Sequence, residues 1–97
     1  MFSTELNQFG VCRCDEVRTD SYGQTVVGEV RELIQFGTDY GKARAYYLDK
    51  VVEYSKTSYA LPDDLWVVII NDGKITQFEQ LTTRTKTVIV DLKDVKS

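Results

Sequence analysis

The stretch that most constrains the fold is residues 65–80, LWVVIINDGKITQFEQ, where the strongest apolar run of the chain meets its clearest turn signal. Residues 65–70 are almost all β-branched or aromatic, and Asp72-Gly73 tolerates the positive φ angles of a tight strand reversal. We therefore predict a β-hairpin here. Apolar residues occupy both faces of its first strand, since successive side chains of a strand point to opposite faces. Such a strand belongs in the middle of a sheet and needs cover on both sides.

Residues 39–55 predict the helix that covers one of those faces. Thr38 and Asp39 are good N-cap residues, and the residues that follow are mostly good helix formers. Apolar residues recur at helical spacing and form one stripe, which consists of Ala43, Tyr47, Val51 and Tyr54 and is widened by Leu48 and Val52.

The other strands are less clearly marked. Residues 8–18 predict a half-exposed first strand, and the turn formers at 19–23 predict that the chain then reverses. Residues 24–36 fit either a helix or a strand, but Gly28 and three valines favour a strand that forms a hairpin with the first. A last strand is expected at 87–92, followed by a polar tail that frays.

These elements follow the order ββαβββ in one domain, residues 1–97. The chain is therefore predicted to be an α+β protein, with a twisted, mainly antiparallel sheet of about five strands and one helix packed across it. The 97 residues, of which 42% are hydrophobic and 28% charged, suit a single compact core.

The residue types give little support to catalysis. The chain contains no His, which removes the commonest general acid and base and every Ser-His or Cys-His nucleophile. The adjacent acids Asp63-Asp64 follow Pro62, where turn propensity alone accounts for them, and no phosphate-binding glycine motif is present. We therefore expect a protein that is not an enzyme and uses no cofactor.

Cys12 and Cys14 are the two cysteines of the chain. An i, i+2 pair on an extended strand shares one face at a separation poorly suited to a disulfide. A tetrahedral metal site needs about four ligands, and neither a His nor a third Cys is present to complete it. We expect both residues to be reduced, metal-free and buried as small hydrophobes.

Binding to another protein is the function that we expect. A small core cannot bury all six tyrosines with their hydroxyls satisfied, and exposed Tyr is enriched at protein interfaces. The candidate protein-binding residues are three tyrosines that fall outside the helical stripe and five acids that could engage a basic partner, namely Tyr40, Tyr46, Tyr59, Asp15, Glu16, Asp20, Glu29 and Glu32. We expect a small inhibitor or adaptor that binds through a sheet face or edge, and a phage or other mobile element is one source that we consider for it.

Two alternatives stay open. The first is a small nucleic-acid-binding domain that uses a basic loop and a helix face, with Arg84, Lys86, Lys42, Arg44 and Lys50 as its contacts. A net charge of -3 counts against it, because phosphate neutralisation supplies most non-specific affinity. The second is a structural subunit of a homo-oligomer, such as a homodimer. The chain shows neither a signal-peptide pattern nor a membrane-spanning stretch, so we expect a cytoplasmic protein with no membrane partner.

Overall fold

The structure, a computed structural model, describes residues 7–19, 21–58, 64–80 and 85–95. In chain order these residues form four strands, an α-helix, three further strands and a short 3₁₀ helix. Their bounds are β1 (Gln8–Cys14), β2 (Val17–Thr19), β3 (Thr25–Val27), β4 (Val30–Gln35), α1 (Tyr40–Ser58), β5 (Leu65–Asn71), β6 (Lys74–Glu79), β7 (Thr85–Asp91) and the 3₁₀ helix Leu92–Asp94.

Within the described residues, the main sheet has five strands in the order β4-β1-β5-β6-β7, and every neighbouring pair is antiparallel. Helix α1 packs against β1 and β5 on one face of it. The predicted α+β class, with one helix across an antiparallel sheet, is confirmed. The hairpin that joins β5 to β6 is confirmed as well, since Asp72 and Gly73 have φ angles of 52° and 71°.

The N-terminal third of the chain is one long hairpin that bends in the middle. Strands β1 and β4 pair within the main sheet, whereas β2 and β3 form a separate two-stranded tip. The bend lies at Asp15-Glu16 on one side and Gly28-Glu29 on the other, where the Gly28 N–H donates to the Glu16 carbonyl at 2.7 Å. The strand interpretation of residues 24–36 is thus confirmed, although both predicted strands are interrupted. The strand predicted as half-exposed at 8–18 is divided at this bend: Val11, Cys12 and Cys14 in β1 are buried, whereas Asp15, Glu16 and Arg18 are exposed.

Helix α1 covers the first face. The Asp39 carboxylate caps its N-terminus by accepting the Lys42 N–H at 3.0 Å. The residues buried between helix and sheet are Ala43, Tyr47 and Val51 from α1 and Val11, Leu65 and Val67 from the strands. Two residues of the predicted stripe do not belong to it, since Val52 is 55% and Tyr54 is 41% exposed. Val52 is turned about 100° from Val51 and faces outward, and buried contact ends at Val51.

The opposite face, which we call the Trp66 face, is covered within the same chain. Its buried side chains are Cys12, Cys14, Val30, Trp66, Val68, Ile70, Ile75 and Phe78. Val17 and Val27 from the bent hairpin tip and Val95 from the C-terminal segment pack over them. The hairpin tip therefore supplies the cover that the second face of β5 needs, and the expectation that the protein binds through a sheet face or edge stays a prediction. The segment that we expected to fray is ordered through Val95, while residues 96 and 97 lie outside the described residues.

Both end strands of the main sheet are interrupted by bulges. In β4 the register shifts opposite Cys12, and Glu32 there adopts a φ of 54°. In β7 the register shifts opposite Thr76. Bulges at the edges of a sheet limit the length over which another strand can pair.

Candidate protein-binding cleft

A cleft separates α1 from the end strand β4, because the helix lies over β1 and β5 and leaves β4 uncovered. Its volume is about 390 Å³, within the range of roughly 300–1,000 Å³ that is usual for binding pockets. We call it the α1–β4 cleft. Its walls and floor include Tyr46 and Lys50 from the helix, Glu32 and Ile34 from β4, and Val11 and Leu65 from the sheet.

The helix wall is built around Tyr46. Its ring packs against Phe36 with a centroid separation of 5.5 Å, and the Lys50 Nζ lies 5.5 Å from its centroid. The ring of Tyr40 packs edge-on against Phe9 at 5.0 Å. Both tyrosines are half-buried and pack against the buried residues between helix and sheet, and their role in binding stays a prediction. Flanking positions of the helix reach aromatic residues at the ends of β1 and β4. Tyr59, the third candidate tyrosine, lies outside the described residues.

An ion-pair network includes two residues that line the cleft, Arg13 and Glu32. Arg13 and Arg31 lie opposite each other across β1 and β4, a placement that would be repulsive without shared counter-ions. Asp64 accepts from Arg13 at 3.0 and 3.2 Å and lies 3.5 Å from Arg31. Glu32 pairs with the Arg13 Nε at 3.0 Å, and Asp15 forms two bonds with Arg31 at 3.0 and 3.1 Å. The hydrogen bond to Asp15 is the main reason that the pKa of Arg31 is raised.

Replacing Asp64 by asparagine is expected to lower the free energy of unfolding by about 1 kcal/mol, because two arginines lose their shared carboxylate. The side chain of Asp64 is only 26% exposed, so solvent screens this site less than an open surface. Asp15→Asn is the matched control: it also faces Arg31, but its side chain is 72% exposed and its loss should cost less than about 0.5 kcal/mol. Urea denaturation at low and high salt measures both, and equal losses would contradict a central role for Asp64.

The acidic candidates do not form a continuous negative surface. Asp15 and Glu32 are bound to arginines in the network described above, and Glu16 pairs with Arg18. Glu29 is exposed at the hairpin bend, and Asp20 lies outside the described residues. The arginines of the same hairpin thus neutralise much of the charge that the sequence suggested for engaging a basic partner.

The basic candidates are also dispersed. At about 100° per residue, Arg44 lies on the opposite flank of α1 from Lys50, and its guanidinium is 3.4 Å from the Tyr40 hydroxyl. Lys42 is exposed near the start of the helix. Arg84 and the side chain of Lys86 lie outside what the structure describes. The three described candidates therefore do not share one basic face.

Both cysteines are free and buried on the Trp66 face, which confirms their predicted burial. Burial, with a smaller contribution from the neighbouring Cys14, raises the pKa of Cys12 to about 12. Burial likewise raises the pKa of Cys14, whose thiol donates to the Glu16 carbonyl at 3.3 Å. Thiols that stay protonated are poor nucleophiles, so their environment suits packing. Their metal-free state stays a prediction.

Alkylation by iodoacetamide at pH 8 is expected to be at least about a hundredfold slower for the native protein than for the unfolded chain, since reaction requires opening of the core. The same burial makes stability depend on alkaline pH. An unfolded thiol ionises near 9.0 and the folded Cys12 near 12, so the contribution of Cys12 is present below pH 9 and is lost as pH rises through this window. Cys12→Ala should flatten that decline. Rapid labelling of the native protein would contradict the buried placement.

The described residues of the cleft bring together apolar, tyrosine and charged side chains. In the described ranges, no three His, Cys, Asp or Glu side chains are grouped so that they could hold a metal ion. None of the helices in that part of the chain has the length and apolarity needed to cross a bilayer. Sequence reasoning identified Tyr46 and Lys50 but missed Arg13 and Ile34, which the cleft also requires. No local sequence pattern marks Arg13 and Ile34 as cleft residues, because only the β1–β4 register places them on the face next to the helix.

Known proteins add no further indication of function. No family model, curated protein or solved structure is significantly similar to this chain. The functional conclusion therefore rests on the residues of the α1–β4 cleft.

Proposed function

We propose that this chain is a non-enzymatic binding protein, an inhibitor or adaptor that occupies a partner protein through the α1–β4 cleft. One observation carries the proposal: the helix leaves the end strand uncovered, and the resulting cleft combines exposed apolar surface with a tyrosine and two cations. Ile34 is 40% exposed at its rim, and Tyr46, Arg13 and Lys50 are only partly covered. Tyr and Arg are the residue types that dominate binding energy at protein interfaces.

The rest of the surface supports this choice less well. The Trp66 face is covered within the chain and α1 covers the middle of the opposite face, while the other large exposed hydrophobic side chains, such as Ile89 and Tyr22, lie on β7 and at the hairpin tip. Single exposed apolar residues are normal on soluble proteins, whereas a concave cluster with polar groups marks a binding site. The proposal includes the cytoplasm as the location, where two free thiols would stay reduced.

The test is quantitative capture of proteins from an extract of the source cells with three immobilised forms of the chain. These are the wild type, Ile34→Glu in the cleft, and Val52→Glu on the outer side of α1. Both substitutions place a carboxylate at an exposed aliphatic position, so they match in charge. We expect a partner that wild type and Val52→Glu retain equally and that Ile34→Glu retains about tenfold less or not at all. Proteins retained equally by all three forms, with none depending on Ile34, would overturn the proposal.

A further inference from the structure

The outer edge of β4 runs along the α1–β4 cleft and offers backbone groups to a ligand. The Phe36 N–H donates inward to the Phe9 carbonyl at 2.8 Å. Because backbone groups of successive strand residues alternate in direction, the N–H and C=O of Gln35 point away from β1. Gln35 is exposed, and β4 is the last strand of the sheet on this side. An extended segment laid against β4 would therefore find a donor and an acceptor at Gln35.

The register of β4 then fixes where the side chains of such a segment go. Ile34 pairs with Val11 on the face that the helix covers. A residue of the added strand opposite Ile34 would place its side chain on that same face, with the two Cβ atoms about 5 Å apart. This position lies beside Ile34, at the rim of the cleft that Tyr46 lines on the helix side. An apolar side chain suits this position, because Ile34 and Tyr46 present apolar surface that is partly exposed to solvent in the free protein.

Lys50 gives the cleft a charge preference. Its side chain is 37% exposed, and it pairs with the carboxylate of Glu53 at 3.6 Å, which is largely in solvent. Arg13 by contrast already donates to both Glu32 and Asp64. Lys50 is thus less firmly paired than Arg13 and can accept an acidic side chain from a ligand. Residues two apart on a strand share a face, so this acid belongs two positions from the apolar residue.

We propose that the occupant of the α1–β4 cleft is an extended segment of the partner protein that adds to β4 at Gln35. The segment places an apolar side chain beside Ile34, facing the cleft, and an acidic side chain two residues away, near Lys50. The bulge at Glu32 ends regular pairing on one side, so the paired region is short and the side-chain contacts set its register. This inference rests on the proposed function and specifies the ligand class of the same cleft.

The probe is a synthetic library of acetylated peptides of about nine residues, with Leu or Phe fixed at the centre and the other positions randomised. We expect wild-type protein to select Asp or Glu two positions from the centre. Lys50→Glu should select Lys or Arg there instead, because the sign of the charge at the cleft is reversed. Ile34→Glu should bind the selected peptides about tenfold more weakly, while Val52→Glu binds them as the wild type does.

Amide hydrogen exchange tests the backbone contact. The outward N–H of Gln35 should exchange rapidly in the free protein and at least about tenfold more slowly with a selected peptide bound. N-methylation of the peptide residue that pairs with Gln35 should abolish binding, while N-methylation at a terminal residue should not. An unprotected Gln35 amide, an acid preference unchanged in Lys50→Glu, or no selected peptide would overturn the extended-segment mode. If capture from cells still depends on Ile34, the proposed function stands without this mode, and if it does not, both fail.

Discussion

Trp66→Ala is expected to lower the free energy of unfolding by about 3–5 kcal/mol, the usual range for removing a large aromatic side chain from a core. Trp66 is 2% exposed and stands edge-on to Phe78, with ring centroids 6.0 Å apart. Its indole N–H donates to the Cys14 carbonyl at 3.2 Å, so alanine leaves both a cavity and a buried acceptor without its partner. Domains of this size are stable by roughly 5–15 kcal/mol, and the variant should be close to unfolding.

Circular dichroism during urea denaturation measures this loss without relying on tryptophan fluorescence, which the variant lacks. Trp66→Phe separates the two contributions, because it keeps most of the ring volume and removes only the N–H donor. Ile89→Ala serves as the exposed control, since Ile89 is 70% exposed and should cost less than about 0.5 kcal/mol. A loss at Trp66 no larger than that at Ile89 would mean that the hairpin tip does not cover this face.

Gly10→Ala is expected to destabilise the protein by about 1–3 kcal/mol, the cost of overpacking a tight contact. A Cβ at this position would lie 2.7 Å from the Ile34 carbonyl oxygen and 3.0 Å from the Leu33 Cδ1. The leucine can rotate, but the carbonyl belongs to the paired strand, so β1 and β4 must move apart. The sign of the stability change decides the test, because replacing glycine by alanine in an ordinary strand stabilises a protein by roughly 0.5–1 kcal/mol.

The thermal midpoint of Gly10→Ala gives that sign directly. Gln8→Ala, on an exposed residue of the same strand, controls for the change to alanine and should shift the midpoint little. A midpoint above that of the wild type would contradict the close approach of β4 to Gly10. Since Ile34 and Gln35 both lie beside this contact, Gly10→Ala should also lower the affinity of the α1–β4 cleft for a ligand.

Local sequence pattern was enough to predict the elements that carry both a clear apolar pattern and a turn or cap signal at one end. Residues 65–70 are apolar on both faces and are followed by Asp72-Gly73, so a buried strand and its turn were predictable without knowledge of the rest. The helix was predictable from its cap at Asp39 and from the spacing of Ala43, Tyr47 and Val51. Residues 24–36 were ambiguous because their valines satisfy both periodicities, and turn chemistry at 19–23 decided correctly for a strand.

The cleft could be predicted only in part, because it depends on contacts between residues distant in sequence. The spacing of Tyr46 and Lys50 shows that they flank the helix stripe, but only the strand order shows that an end strand lies next to them. Arg13 reads as an exposed charge between two cysteines until Asp64, distant in the chain, is found beside it. The bend at Asp15 and Gly28 escaped prediction for the same reason, since the face that the hairpin tip covers is formed mostly by β5 and β6.

The position of β1 in the middle of the sheet governs when this protein can fold during its synthesis. Strand β1 is the first strand of the described residues, yet it pairs along its length with β5, from Gln8 opposite Ile70 to Arg13 opposite Leu65. A nascent chain that ends after α1 can form the β1–β4 hairpin and a helix, but half of the partners of β1 have not been made. Loops of this length close slowly relative to local hairpins. During synthesis, the two thiols and the apolar side of α1 therefore stay exposed to solvent until residues 65–70 have left the ribosome and can pair with β1.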